Sequence, residues 1–297
     1  MSRPARLLLP ALFAAGLLAS LDSPLPAQDD KAKETVAKQK AVAAANLKKA
    51  EFARSAIAET DHFLVATTLP EEKAKALGAV LEKVVPLARK ALQYEEKEEP
   101  WKGKLAVYVL PDGRDFKTFV RTVVVAQPGG VHYDVRADEP FVVDPVDVPT
   151  KATEADQFAN SAAVVAAAYL KARGSTASLP DWLTGGFGRV TAMRGEGPNS
   201  QRYQKHKTAS KGVANKGAKI ADLWAETKPA NAEALANSFA EYLAYGPGAA
   251  NFVKLVYGFR PDENGNAPSA QQAFEAAGWK DLAMLEAAWK KWVATGK

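Results

Sequence analysis

The spacing of apolar positions changes several times along the chain, and the changes divide it into segments. His62–Leu69 (HFLVATTL) is a short apolar run closed by Pro70, the signature of a strand. Beyond Pro70, Leu77, Val80, Leu81, Val84 and Leu87 recur at three- and four-residue spacing, as on one helix face. Pro70 suits the first position of that helix, Glu71 and Glu72 suit its positive end, and Pro86 predicts a kink. After the polar stretch Glu95–Gly103, Lys104–Leu110 (KLAVYVL) reads as a second strand. A Pro-Asp-Gly turn and a short helix with Phe116, Phe119 and Val120 follow. Val131–Val135 and Pro140–Val143, joined through Arg136–Glu139, read as a hairpin.

The second half is helical in pattern. In Thr153–Ala172, Phe158, Ala162, Val165 and Tyr169 recur at helical spacing and the other face is also small and apolar, which predicts a buried central helix stopping at Gly174. A second helix opens at Leu-Pro-Asp-Trp-Leu (179–183) and reaches Arg194. Asn237–Tyr245, Ala249–Tyr257 and Asp281–Val293 are amphipathic segments. Gly195–Ala218 has no acidic residue after Glu196 but holds Arg202, Lys205, His206, Lys207, Lys211 and Lys216, and reads as a mobile basic loop with a short helix near Tyr203. The predicted organisation is an exposed N-terminal helix (29–58), an α+β subdomain with a small sheet (59–152), a central helix pair (153–194), a basic loop (195–219) and a helical C-terminal subdomain (220–297). The fold class is α+β.

Composition narrows this picture little. At 297 residues, with 47% hydrophobic and 25% charged positions, the chain can bury a sizeable core. A net charge of +5, with no nucleic-acid-binding motif, gives no reason to expect a nucleic-acid partner. Residues 1–28 read as a secretory signal peptide. Arg3 and Arg6 precede the apolar run Leu7–Leu21, and cleavage is expected near Ala27, giving an exported protein. That run holds Pro10 and Gly16 and falls short of the roughly 20 residues a membrane span needs, so no integral span is expected after cleavage. The absence of cysteine excludes a disulfide framework, a thiolate metal site and a lipobox.

Three sets of residues, in this order, carry a resemblance: Pro180-Asp181-Trp182-Leu183 with Gly186; Asn237-Ser238-Phe239, Tyr242-Leu243 and Tyr245-Gly246; and Ala273-Phe274-Glu275-Ala276-Ala277-Gly278 with Leu285-Glu286-Ala287-Ala288-Trp289. From His62 to Val293 the chain resembles the peptidase MA-like (gluzincin) zinc metallopeptidases. The resemblance implies a zincin-like fold, with a small sheet backing an active-site helix pair and a hairpin bordering the substrate cleft. In that family a His-Glu-x-x-His helix precedes a Pro-x-Trp-Leu-x-Glu-Gly helix. Anchored on Pro-Asp-Trp-Leu, the two His positions fall on Asn160 and Val164, the catalytic Glu on Ser161 and the third ligand on Gly185. A zinc site needs two imidazoles four residues apart reaching one metal at about 2.1 Å. Asn and Ser are poor zinc ligands, Val and Gly offer no donor, and no histidine lies between Tyr133 and Lys205 to restore the motif by a register shift.

No metal, cofactor or catalytic residue is therefore expected. Asn160, Ser161, Val164 and Gly185 are expected to line a vestigial metal site, either collapsed or left as an apolar, uncharged cleft. His132 and Tyr133 are candidates for its border. His62 reads as a surface or capping residue and His206 as solvated. The leading function is that of an exported pseudo-peptidase binding a peptide, a protein or a cell-envelope component. One alternative is a metal-dependent peptidase or hydrolase with a relocated site built on His132, Asp134 and the 195–218 segment. Another is an envelope structural or polyanion-binding protein using its lysines.

Overall fold

The computed structural model describes residues 26–144 and 153–296, so the expected signal segment lies almost wholly outside the described residues. Helix α1 (Pro26–Lys49) leads into strands β1 (Ala56–Glu59) and β2 (Phe63–Thr67), helices α2 (Glu71–Glu82) and α3 (Val85–Ala91), and strand β3 (Leu105–Val109). Helix α4 (Gly113–Phe119) runs into a π turn at Val120–Val124, and β4 (His132–Asp134) and β5 (Phe141–Asp144) form the hairpin. Then come α5 (Glu154–Gly174), α6 (Asp181–Glu196), α7 (Gln201–Asn215), a 3₁₀ turn at Ile220–Trp224, α8 (Ala232–Tyr245), α9 (Ala249–Gly258), α10 (Ala270–Ala276) and α11 (Leu282–Thr295). The architecture is α+β.

The sheet order is β1-β2-β3-β5-β4, with β2, β3 and β5 parallel and the outer strands β1 and β4 antiparallel to their neighbours. Strand side chains alternate between faces. Phe63, Val65, Leu105, Val107, Val109 and Val142 join the larger core, which is built with α2, α3, α5 and the C-terminal helices. Ala66, Ala106, Tyr108 and Val143 face a second core with Ala43, Leu47, Phe116, Phe119 and Val120. The middle strands are thus covered on both faces.

Three expectations need correction. The N-terminal helix stops at Lys49, residues 56–59 are an edge strand, and Ala43, Leu47 and Ala50 are buried under the sheet rather than solvated. Pro86 does not kink one helix but sits in the first turn of a new one, where its missing N–H costs nothing. The basic segment 195–219 is mostly helix: α7 is capped by Ser200, whose hydroxyl accepts from the Tyr203 N–H.

The central helix is where the pattern put it. Thr153 and Asp156 form a capping box at its start, and most of its circumference is buried. Helix α6 lies between α5 and α8, and two glycines allow that approach. A Cβ on Gly188 would meet the Ala163 carbonyl oxygen at 2.4 Å, and one on Gly186 would meet that of Ala236 at 2.6 Å. Among the described residues no helix is long and apolar enough to cross a membrane.

Candidate functional site

Asn160 and Val164 stand one turn apart on α5, Gly185 lies in the first turns of α6, and Tyr133 projects from β4. These four residues line one open cleft of about 500 Å³. A second compartment of about 530 Å³, walled by α7 and α8, adjoins it through Asn160, Ala163 and Arg189, which line both. The site is neither collapsed nor uncharged, contrary to expectation, because Arg189, Lys171 and Asp181 line the first compartment. The Lys171 ammonium sits 5.1 Å from the centre of the Tyr133 ring, a cation–π contact that holds both at the cleft wall.

Arg189 owes its position to glycine. A Cβ at Gly185 would lie 3.2 Å from both Nη1 and Nη2, so the bare backbone lets the guanidinium fold over that turn. Its Nε donates to Asn237 Oδ1 at 2.9 Å, and Glu233 Oε1 is 3.5 Å from the same nitrogen.

Ser161 does not line the cleft. Its hydroxyl is fully buried and donates to Asp144 Oδ2 at 2.5 Å, while Asn160 Nδ2 donates to Asp144 Oδ1 at 3.0 Å. Asp144 ends β5 on the same face as Val142, turned toward α5. Burial pushes its carboxyl up to about 7, although the bonds from Ser161 and Asn160 favour the charged form. Burial, reinforced by the Asp144 charge, also raises the Tyr133 hydroxyl well above its ordinary range. An Oγ with no exposure cannot attack a molecule in the cleft, so Ser161 and Asp144 form a support rather than a nucleophile and base.

The histidines lie elsewhere. His132 projects from the opposite face of β4 to Tyr133, against Phe116 at 6.3 Å between ring centres, and its Nε2 is buried without a hydrogen-bond partner. It does not border the cleft. Asp134 is also committed, since Oδ1 accepts from the Arg136 and Ala137 N–H groups in the hairpin turn. His62 pairs with Glu82 Oε2 at 2.7 Å, and its backbone N–H donates to Oε1, a capping role. His206 is buried rather than solvated, 2.9 Å from Glu241 Oε2. Among the described residues no group of three or more His, Cys, Asp or Glu could hold a metal ion.

Asp144, Arg189 and Lys171 are the site residues that the sequence pattern did not single out. The accessible signals were an aspartate closing the apolar strand FVVD and a glycine four residues before an arginine in a buried helix. The arrangement places charged groups on the cleft wall over a buried polar support, and among the described residues lining the cleft no nucleophile is paired with a base. Compared with known proteins, the chain matches no family model and no curated sequence.

Proposed function

We propose that the chain is an exported, non-catalytic protein of metallopeptidase-like fold that binds an extended peptide between β4 and the α5–α6 crossing. The carrying observation is the open cleft of about 500 Å³ shared by Asn160, Val164, Gly185 and Tyr133. Its volume suits a ligand rather than a packing defect. Strand β4 ends the sheet order, and among the described residues no strand pairs with its outer edge, where an extended peptide would add. Export is supported by the basic start and apolar run of residues 1–28.

The alternatives draw less support. A relocated hydrolase needs His132 and Asp134 at the cleft, but the His132 ring packs against Phe116 on the other face of β4 and Asp134 accepts from the hairpin turn. The polyanion reading loses Lys207, which turns inward to within 3.5 Å of Glu241.

The test measures metal content and turnover together with binding. Purified protein is expected to carry no stoichiometric zinc, to cleave no member of a broad peptide library, and to bind some members saturably. Filling the cleft with Val164→Trp should abolish that binding. Stoichiometric zinc with chelator-sensitive cleavage would overturn the proposal.

A further inference from the structure

We infer that the cleft recognises a carboxylate group, with the Arg189 guanidinium as its anchor. This deepens the reading of the cleft as a peptide site and rests on it for the peptide, though not for the carboxylate. The Nε of Arg189 is taken by Asn237 at 2.9 Å, and among the described residues Nη1 and Nη2 have no hydrogen-bond partner. The guanidinium is therefore held at one corner while its outer fork stays open. Two parallel N–H donors of that kind match the two oxygens of a carboxylate.

The placement is consistent with such a role. Helical side chains lean toward the N-terminus, so the Arg189 stem runs back over residue 185. Only glycine there leaves the space, since a Cβ would stand 3.2 Å from each Nη. The side chain is 39% exposed, which makes the fork reachable from both compartments. Lys171 adds a second positive charge on the same wall, with no ion pair among the described residues. Asn160 spends its Nδ2 on Asp144, so its Oδ1 remains an acceptor for a ligand N–H.

Three acidic groups line the two compartments without cancelling the proposal, and of these Asp156 is engaged by Arg202 Nη2 at 2.5 Å. Asp181 lines the same compartment as Lys171 one turn before Gly185, about 6 Å along the helix axis from the turn that the fork covers, and among the described residues it makes no ion pair with Arg189. Glu233 approaches Arg189 only at Nε, and its own side chain is 71% exposed.

The experiment titrates the purified protein with matched peptides and with simple organic acids. One peptide pair differs only in a free C-terminal carboxylate or its amide, and a second pair differs in an internal Glu or Gln. Acetate, succinate and benzoate form the third arm, followed by NMR of the arginine side chains. At least one carboxylate source should bind about tenfold or more tightly than its neutral match. That preference should vanish in Arg189→Met and weaken in Arg189→Lys, which keeps charge without the fork. Gly185→Ala should weaken it from the opposite side by displacing the fork, and circular dichroism verifies that each variant is folded. If peptides bind with no carboxylate preference, the inference falls and the peptide reading stands. If only organic acids bind, dependent on Arg189, the carboxylate stands and the peptide reading falls. If nothing binds, both fall.

Discussion

Asp144 brings a titratable group into the larger core, where among the described residues two neutral side chains bond to it. The Asn160 amide and the Ser161 hydroxyl donate to its two oxygens, and no cation pairs with it among the described residues. Its pKa in the fold is raised from the ordinary 3.8 to about 7, so its contribution to stability is complete below about pH 3.8 and is lost as pH rises toward 7. The full loss amounts to at most about 4 kcal/mol. Asp144→Asn removes the charge and keeps the shape and the bond from Asn160, while its new amide N–H donates to the Ser161 oxygen in place of accepting from it. Urea unfolding should show the variant nearly unchanged at pH 4 and more stable than the parent at pH 8. An unaltered pH dependence would show that the carboxyl is solvated. Helix spacing put Asn160 and Val164 on one face of α5, and both line one cleft with Gly185. What Asn160 and Ser161 do was not readable. Their shared partner lies 16 and 17 residues upstream, on a strand whose pairing brings it back.

At the scale of elements, α7 illustrates how polar composition conceals a helix. Of its fifteen residues, His206, Ser210 and Val213 are the buried ones, too few for an apolar stripe to stand out. What holds it is a charged anchor. Glu241 on α8 is fully buried and receives Arg194 Nη1 at 2.6 Å, the Tyr203 hydroxyl at 2.7 Å and His206 at 2.9 Å. Burial alone would push that carboxyl up, but the bonds from His206 and Tyr203 outweigh it and hold it at about 2. The stability so gained is present above the ordinary value of 4.5 and is lost as pH falls toward 2. Glu241→Gln leaves these donors around a neutral amide and should cost about 3 kcal/mol at pH 7. Hydrogen exchange should then show α7 opening first, and with it one wall of the 530 Å³ compartment, since Arg202, Lys205 and His206 line it. Protection of α7 equal to that of the parent would mean that the anchor is dispensable. By contrast α2, α5, α8 and α11 were visible beforehand, since an apolar face against a core imposes its period on the sequence.

For the whole molecule, the decisive feature is that the sheet is covered on both faces, so α1 belongs to the fold rather than leading into it. Its alanine- and lysine-rich sequence looks solvated because the buried stripe is narrow. Ala43 and Leu47 lie under the sheet with Tyr108 and Phe119, and Asn46 Nδ2 donates to the Tyr108 hydroxyl at 2.9 Å. Gln39 ties the helix to the start of β3 through the Lys102 carbonyl and the Lys104 N–H. Lys38, by contrast, reaches Glu139 across the surface with its side chain 69% exposed. Two substitutions separate the solvated helix from the integral one. Leu47→Ala removes a side chain 2% exposed and should destabilise the whole protein by about 2–5 kcal/mol, because the sheet cannot close over the cavity. Lys38→Ala removes one exposed ion pair and should change stability by less than about 1 kcal/mol. Thermal unfolding followed at once in the near and far ultraviolet would decide the matter. A single shared transition, moved down by Leu47→Ala and left in place by Lys38→Ala, is expected if the two cores unfold as one unit through the sheet between them. Leu47→Ala leaving that transition untouched would return α1 to the status of an appendage.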